Sequence, residues 1–94
     1  MKRDEALTHL IDASNKLIDA THAVPVITFT RDSLQHETFL GALEQGQTVT
    51  AAREYATGAV LEQSRDLYVA RAKVDELRER VSMLRFLIEH DLCD

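Results

Sequence analysis

The chain has 94 residues and a formal net charge of −5, from 16 acidic against 11 basic residues. This length predicts a single domain, residues 1–94. The acidic balance argues against broad nucleic-acid binding, because basic patches supply most of that affinity. Only 5% of the residues are aromatic, and there are three glycines and one proline. So few helix-breaking residues favour an all-α fold.

Nothing in the sequence predicts contact with a membrane. The opening stretch MKRDEALTHL is charged and polar, unlike a signal peptide, and no apolar run approaches the roughly 20 residues that span a bilayer. The single cysteine, Cys93, excludes a disulfide within the chain. We therefore expect a cytoplasmic protein, and by analogy with other small acidic helical proteins we expect a phage or bacterial accessory factor.

The first predicted element is a helix over residues 4–21. Its apolar residues recur at helical spacing and form a stripe on one side, opposite a polar face. Asp4 and Glu5 lie in the first turn, where negative charge suits the helix dipole. The stripe consists of Leu7, Leu10, Ile11, Leu17 and Ile18, with Ser14 and Thr21 at intervening positions.

An extended segment is predicted next, over residues 23–30. Pro25 breaks a helix and disfavours helical geometry at the residue before it. The following VITFT is β-branched or aromatic, which is typical of a strand. A strand needs a partner, and the chain offers no second one, so three alternatives remain open. The segment is a connector beneath the helices, pairs with its own copy, or receives a strand of another protein.

Residues 31–45 predict a second helix, with Thr30 or Asp32 as its N-cap. Gly46 stands where a helix-terminating glycine is expected. Thr48 or Thr50 can then cap a third helix.

The strongest pattern is a long helix over about residues 50–91, which repeats apolar residues every 3.5 positions. Such a repeat over four heptads is typical of a coiled coil. We name this set the heptad seam and assign it to a dimer interface. Its members are Val60, Leu67, Val74, Leu77, Val81, Leu84 and Ile88.

The length of this helix favours pairing between two chains. Forty residues extend about 60 Å, whereas the first two helices would span only about 27 Å and 22 Å. They cannot readily cover the whole seam, so we expect a homodimer. An intrachain three-helix bundle is the alternative. Charges beside the seam favour antiparallel pairing, since Asp66 then meets Arg80 twice.

Two features predict contact with a partner. Arg71, Arg78 and Arg85 repeat every seven residues and form one row along the helix, which suits an acidic partner or phosphates. Their stems could instead simply cover the flank of the seam. The second feature is the apolar part of the extended segment, Val26, Ile27 and Phe29.

No residue pattern predicts catalysis, a cofactor or a metal. His90 and Cys93 are three residues apart, but a structural zinc site needs four convergent ligands. His9, His22 and His36 are scattered, and no Ser or Cys has a recognisable nucleophile setting.

The stretch FLGALEQGQTVTAAREYATG resembles the opening of a homeodomain-like helix-turn-helix, as in small terminase subunits and transposase-type regulators. The resemblance covers about 20 residues and implies DNA binding through residues 39–65. That family then has a second turn and a basic recognition helix, whereas this chain continues with heptads of mixed charge. The matching residues are Phe39, Leu40, Leu43, Gly46, Val49, Thr50, Ala51 and Ala52.

The sequence thus predicts a non-enzymatic helical protein that self-associates. We expect it to bind another macromolecule, a protein of unspecified identity, as a regulator, inhibitor or adaptor. A DNA-binding regulator is the alternative.

Overall fold

The computed structural model describes residues 1–93, and the prediction of an all-α fold is confirmed. Three helices follow one another: α1 (Arg3–Glu44), α2 (Val49–Ala59) and α3 (Leu61–Glu89). The described residues contain no strand. No helix within them combines the length and the apolar character that crossing a bilayer demands.

The predicted extended segment at residues 23–30 is wrong, because these residues lie inside α1. The predicted helices 4–21 and 31–45 are parts of this one helix, which contains Pro25. Pro25 cannot donate to the Thr21 carbonyl, and both residues are exposed. Val24, Ile27 and Thr28 are half-buried. Packing of this side therefore outweighs the strand-like composition, as tertiary contacts commonly do.

Threonine hydroxyls also adapt to the helical backbone of this segment. Thr28 Oγ1 donates to the Val24 carbonyl at 2.8 Å, and Thr30 Oγ1 donates to the Val26 carbonyl at 3.0 Å. Bonds to the carbonyl four residues earlier are the usual solution for a hydroxyl inside a helix. The β-branched threonines therefore leave no unsatisfied polar group.

The predicted stop at Gly46 and the cap at Thr48 are confirmed. Gly46 has φ +88°, and two backbone bonds close the end of α1, from Gly46 to Leu43 at 3.0 Å and from Gln47 to Ala42 at 3.1 Å. This is the Schellman arrangement, in which a left-handed residue favours glycine. Thr48 Oγ1 then accepts a hydrogen bond from the Ala51 amide at 3.2 Å and begins α2.

The single helix predicted over residues 50–91 is interrupted at Val60. Val60 has φ −113° and ψ 19°, and its amide turns back to the Thr57 carbonyl at 3.4 Å. Gly58, just before it, weakens the helix. The helical ladder resumes when the Ser64 amide bonds to the Val60 carbonyl at 2.9 Å.

The chain divides into two compact units, and α1 and α3 each contribute residues to both. The first unit comprises residues 1–23 and 70–94, and the second comprises residues 24–69. In the first unit α1 and α3 run antiparallel. Arg3 Nη1 lies 3.4 Å from Asp91 Oδ1, and one buried cluster joins the two helices through Ala13, Val81 and Leu84, with Leu10 and Leu17 packed against it.

The second unit contains the end of α1, all of α2 and the beginning of α3. Small residues dominate its buried positions, which allows the helices to approach closely. The buried residues are Ala42, Ala52, Ala56, Val60 and Leu67.

Candidate interaction surface

The heptad seam is buried within a single chain. Val60 and Leu67 are buried in the second unit, and Val74, Leu77, Val81 and Leu84 are buried in the first unit, where Ile88 is half-buried. Val81 and Leu84 pack against Ala13 of the chain's own α1. Pairing of two chains through this seam stays a prediction, and the seam already has a partner within the chain.

The two helices of the first unit have a regular antiparallel register. Arg3 and Asp91 form an ion pair, and their residue numbers sum to 94. The same sum matches Ala13 with Val81 and Leu10 with Leu84, and all four belong to one cluster. Heptad positions can therefore be assigned to both helices. Each heptad has two core positions, and the second of them is held by Ala13 on α1 and by Leu84 on α3. In an antiparallel pair, the residues that directly follow this second core position on one helix lie beside the equivalent residues of the other.

This register places an apolar row of α1 beside the arginines of α3. Leu7, Ser14 and Thr21 follow the core positions on α1, and Arg71, Arg78 and Arg85 hold the equivalent positions on α3. Ile11 and Ile18 are four residues after Leu7 and Ser14, so they lie next to them on the side of α1 that is further from the core. They are 63% and 53% exposed. We name Leu7, Ile11 and Ile18 the side row. The side row and the arginines thus share one side of the first unit.

The three arginines, which we name the arginine row, are exposed and uncompensated. Arg71, Arg78 and Arg85 are all exposed, and none forms an ion pair with another residue in the range 1–93. Their spacing of seven residues corresponds to about 10.5 Å along the helix. The row therefore offers three guanidinium groups in line.

A second exposed apolar row lies on α1 within the second unit. Val26 and Phe29 are 66% and 74% exposed, and Leu40 is 44% exposed. Helical spacing places all three on one side of α1, with the half-buried Ser33 midway between Val26 and Leu40. We name Val26, Phe29 and Leu40 the outer row. Ile27, which the sequence groups with Val26 and Phe29, is half-buried instead.

A groove of about 440 Å³ lies in the second unit between α1 and α2. Asp32 at its edge is held by Arg31, whose Nη2 lies 2.9 Å from Oδ1. The Thr57 hydroxyl donates to the Arg53 carbonyl at 2.9 Å. The side chains that line the groove do not form an acid–base pair. They are Asp32, Gln35, His36, Phe39, Arg53, Ala56 and Thr57.

His90 and Cys93 are engaged with the end of α3. His90 stacks on Phe86 with ring centroids 4.3 Å apart, and its Nδ1 lies 3.2 Å from the Phe86 carbonyl. Cys93 Sγ lies 3.7 Å from the Leu87 carbonyl. Across residues 1–93 no group of three or more His, Cys, Asp or Glu side chains converges as a metal site would.

Residues 39–65, the region of the helix-turn-helix resemblance, form the end of α1, the turn, α2 and the start of α3. Val60 alone separates α2 from α3, where the family has a second turn before its recognition helix. DNA binding by this region stays a prediction.

Sequence reasoning assigned the arginine row but missed the side row as a separate surface. It grouped Leu7, Ile11 and Ile18 with Leu10 and Leu17 in one stripe. The width of that stripe could have indicated a second surface. A helix that packs on a single neighbouring helix buries a narrower set of positions than this stripe contains. In the structure Leu10 and Leu17 are partly buried against α3, whereas Leu7, Ile11 and Ile18 are exposed.

Comparison of the chain with protein-family models, with curated proteins and with solved structures gave no match.

Proposed function

We propose that the chain is a non-enzymatic helical interaction protein, which self-associates and binds another macromolecule as a regulator, inhibitor or adaptor. The observation that supports this function best is the exposure of large apolar side chains in ordered rows. Phe29, at 74% exposed, is the clearest of them. Exposed apolar residues that share one face of a small protein are candidates for an interaction site.

Self-association is assigned to the outer row, Val26, Phe29 and Leu40. The heptad seam is occupied within the chain, whereas the outer row has no apolar cover among residues 1–93. Full burial of one large apolar side chain contributes about 1.5–3 kcal/mol. Two copies that each bury Phe29 and Val26 therefore gain enough to offset part of the cost of association.

The test compares an exposed and a buried residue by light scattering over a concentration series. Phe29→Asp puts a charge into the proposed interface, so we expect a monomer. At concentrations where the wild type is also monomeric, this substitution should change the free energy of unfolding by less than about 0.5 kcal/mol, because the site is exposed. The matched control, Thr50→Asp, adds the same charge at an exposed position on α2, outside the outer row, and should still dimerise.

The Val74→Asp substitution distinguishes the outer row from the heptad seam as the dimer interface. This substitution buries a charge beside α1, so it should lower the free energy of unfolding by more than about 3 kcal/mol even in a monomer. A folded Val74→Asp monomer with unchanged melting would return the dimer interface to the seam. A wild-type protein that stays monomeric at every concentration would show that self-association is wrong.

A further inference from the structure

The side row and the arginine row together form a surface of mixed character in the first unit. Leu7, Ile11 and Ile18 supply apolar contact on α1, and the arginine row supplies positive charge on α3. The two rows follow the same side of an antiparallel pair whose register is fixed by Arg3–Asp91 and by the buried cluster. A ligand lying along this side meets an apolar strip and a cationic strip simultaneously.

We infer that this surface binds an acidic amphipathic helix of another protein. The apolar side of that helix lies on Leu7, Ile11 and Ile18, and its carboxylates meet Arg71, Arg78 and Arg85. The proposal rests on the proposed function and specifies the chemistry of the partner. Amphipathic helices commonly dock in this way, with apolar anchors three, four and seven residues apart.

The dimensions of the two rows fit a helix of about four turns. Leu7 and Ile18 are 11 positions apart, or about 16 Å, and Arg71 and Arg85 are 14 positions apart, or about 21 Å. The seven-residue spacing of the arginines matches acidic residues that recur on one flank of an α-helix. Arginine suits this role because its planar guanidinium binds a carboxylate through two hydrogen bonds.

The charges beyond the two rows favour a narrow acidic partner over a broad anionic surface. Asp75 and Glu89 on α3 occupy the next positions outward from the arginine row, and Asp4 on α1 lies at the N-terminal end of the line formed by Ile11 and Ile18. Asp75 and Glu89 border the positive strip along its outer side, so a nucleic-acid duplex or an anionic bilayer that extends past the strip would bring its own negative charges against carboxylates. A single helix that lies on the two rows stays inside this acidic border. A phosphodiester backbone also has no apolar group to place against the side row.

The test uses a designed, fluorescently labelled peptide of about 18 residues, which spans about 27 Å as a helix. Leucines occupy its heptad core positions and glutamates occupy one flank. A control peptide carries lysines in place of the glutamates. Fluorescence anisotropy should show saturable binding of the acidic peptide to the full chain, with affinity that falls as salt is raised. The lysine peptide should bind at least about tenfold more weakly.

Two double variants of the protein provide a matched comparison. Arg71→Ala with Arg78→Ala removes two charges from the arginine row. Lys73→Ala with Arg80→Ala removes two charges with the same spacing from the opposite flank of α3. The first double variant should weaken peptide binding at least about tenfold, and the second should change it less than about twofold. Circular dichroism should show that both are folded, since all four side chains are exposed.

The apolar half is tested by Ile11→Ser with Ile18→Ser, which should weaken binding about tenfold or more. Several outcomes would overturn the proposal. They are no binding up to about 1 mM acidic peptide, equal weakening by both charge variants, and tighter capture of duplex DNA or anionic vesicles by the same arginines. Loss of the dimer in the Ile11/Ile18 variant would mean that this surface binds a second copy of the chain. Self-association, read by light scattering, would then stand while the acidic-helix proposal fell.

Discussion

Pro25 shows how much strain a single residue can introduce into a helix that still forms. Proline inside a helix removes one hydrogen bond and clashes with the carbonyl four residues earlier, at a cost of about 3 kcal/mol. The affected carbonyl is that of Thr21, which is exposed, so water can replace the missing donor. The half-buried side chains of Val24, Ile27 and Thr28 keep the segment helical.

Replacing Pro25 by Ala should therefore stabilise the protein. The helix regains up to about 3 kcal/mol, while the unfolded chain becomes more flexible, which offsets about 1 kcal/mol. We expect the free energy of unfolding to rise by about 2 kcal/mol in urea titration followed by circular dichroism. As a control, Ala23→Pro should lower stability further. A Pro25→Ala protein less stable than the wild type would mean that the proline geometry is required.

The prediction of an extended segment at residues 23–30 was wrong for a physical reason. Composition alone favours a strand at VITFT, because β-branched residues lose little freedom there. The hydrogen bonds of the Thr28 and Thr30 hydroxyls to carbonyls four residues earlier, and the half-burial of Val24 and Ile27, depend on the folded chain. The proline and five strand-like residues therefore predicted a strand, whereas the half-burial of Val24 and Ile27, which depends on tertiary packing, favours the helix.

At the scale of elements, the connection between α1 and α2 is the part that local sequence rules predicted best. Gly46 and Thr48 act through their own backbone geometry and nearest amides, with no distant partner. The break at Val60 was missed because Gly58 lies within an otherwise uninterrupted heptad pattern. A glycine two residues before the break is a weak signal by itself.

The N-cap of α2 gives a prediction at this scale. Thr48→Ala removes the hydroxyl that accepts from the Ala51 amide, so the free energy of unfolding should fall by about 1 kcal/mol. Thr50→Ala is the matched control, since Thr50 lies inside α2 and is exposed, and it should change stability by less than about 0.5 kcal/mol. Both are measured by chemical denaturation. Equal losses in the two variants would contradict a capping role for Thr48.

The candidate surface was only half predictable from the sequence. The arginine row follows from its seven-residue spacing, which any helix converts into a line. The side row could not be separated from Leu10 and Leu17 without knowing where α3 packs. Once Ala13, Val81 and Leu84 define that contact, the exposed half of the stripe follows.

At the scale of the whole molecule, two compact units share continuous helices. The chain has two tyrosines and no tryptophan, and both Tyr55 and Tyr68 lie in the second unit. Tyrosine fluorescence therefore reports on the second unit alone, while circular dichroism reports on every helix. The protein thus carries a natural probe of whether its units unfold together.

We expect the two units to unfold in one transition. Helix formation is cooperative, and α1 and α3 each belong to both units. Leu84→Ala leaves a cavity in the first unit and should cost about 2–5 kcal/mol. It should lower the melting midpoint seen by tyrosine fluorescence as much as the midpoint seen by circular dichroism. Two separate midpoints, with the tyrosine signal unchanged, would mean that the units are independent.

The constant register of the first unit also limits how the chain can change in length. One residue inserted into α3 between Arg78 and Val81 would rotate everything after it by about 100°. Leu84 would leave the core and Arg85 would leave its row, although no residue had been replaced. Seven inserted residues restore the phase after two turns. Viable insertions or deletions in this part of α3 should therefore have lengths close to a whole number of turns, such as seven or eleven residues, which restricts the lengths that related chains can have.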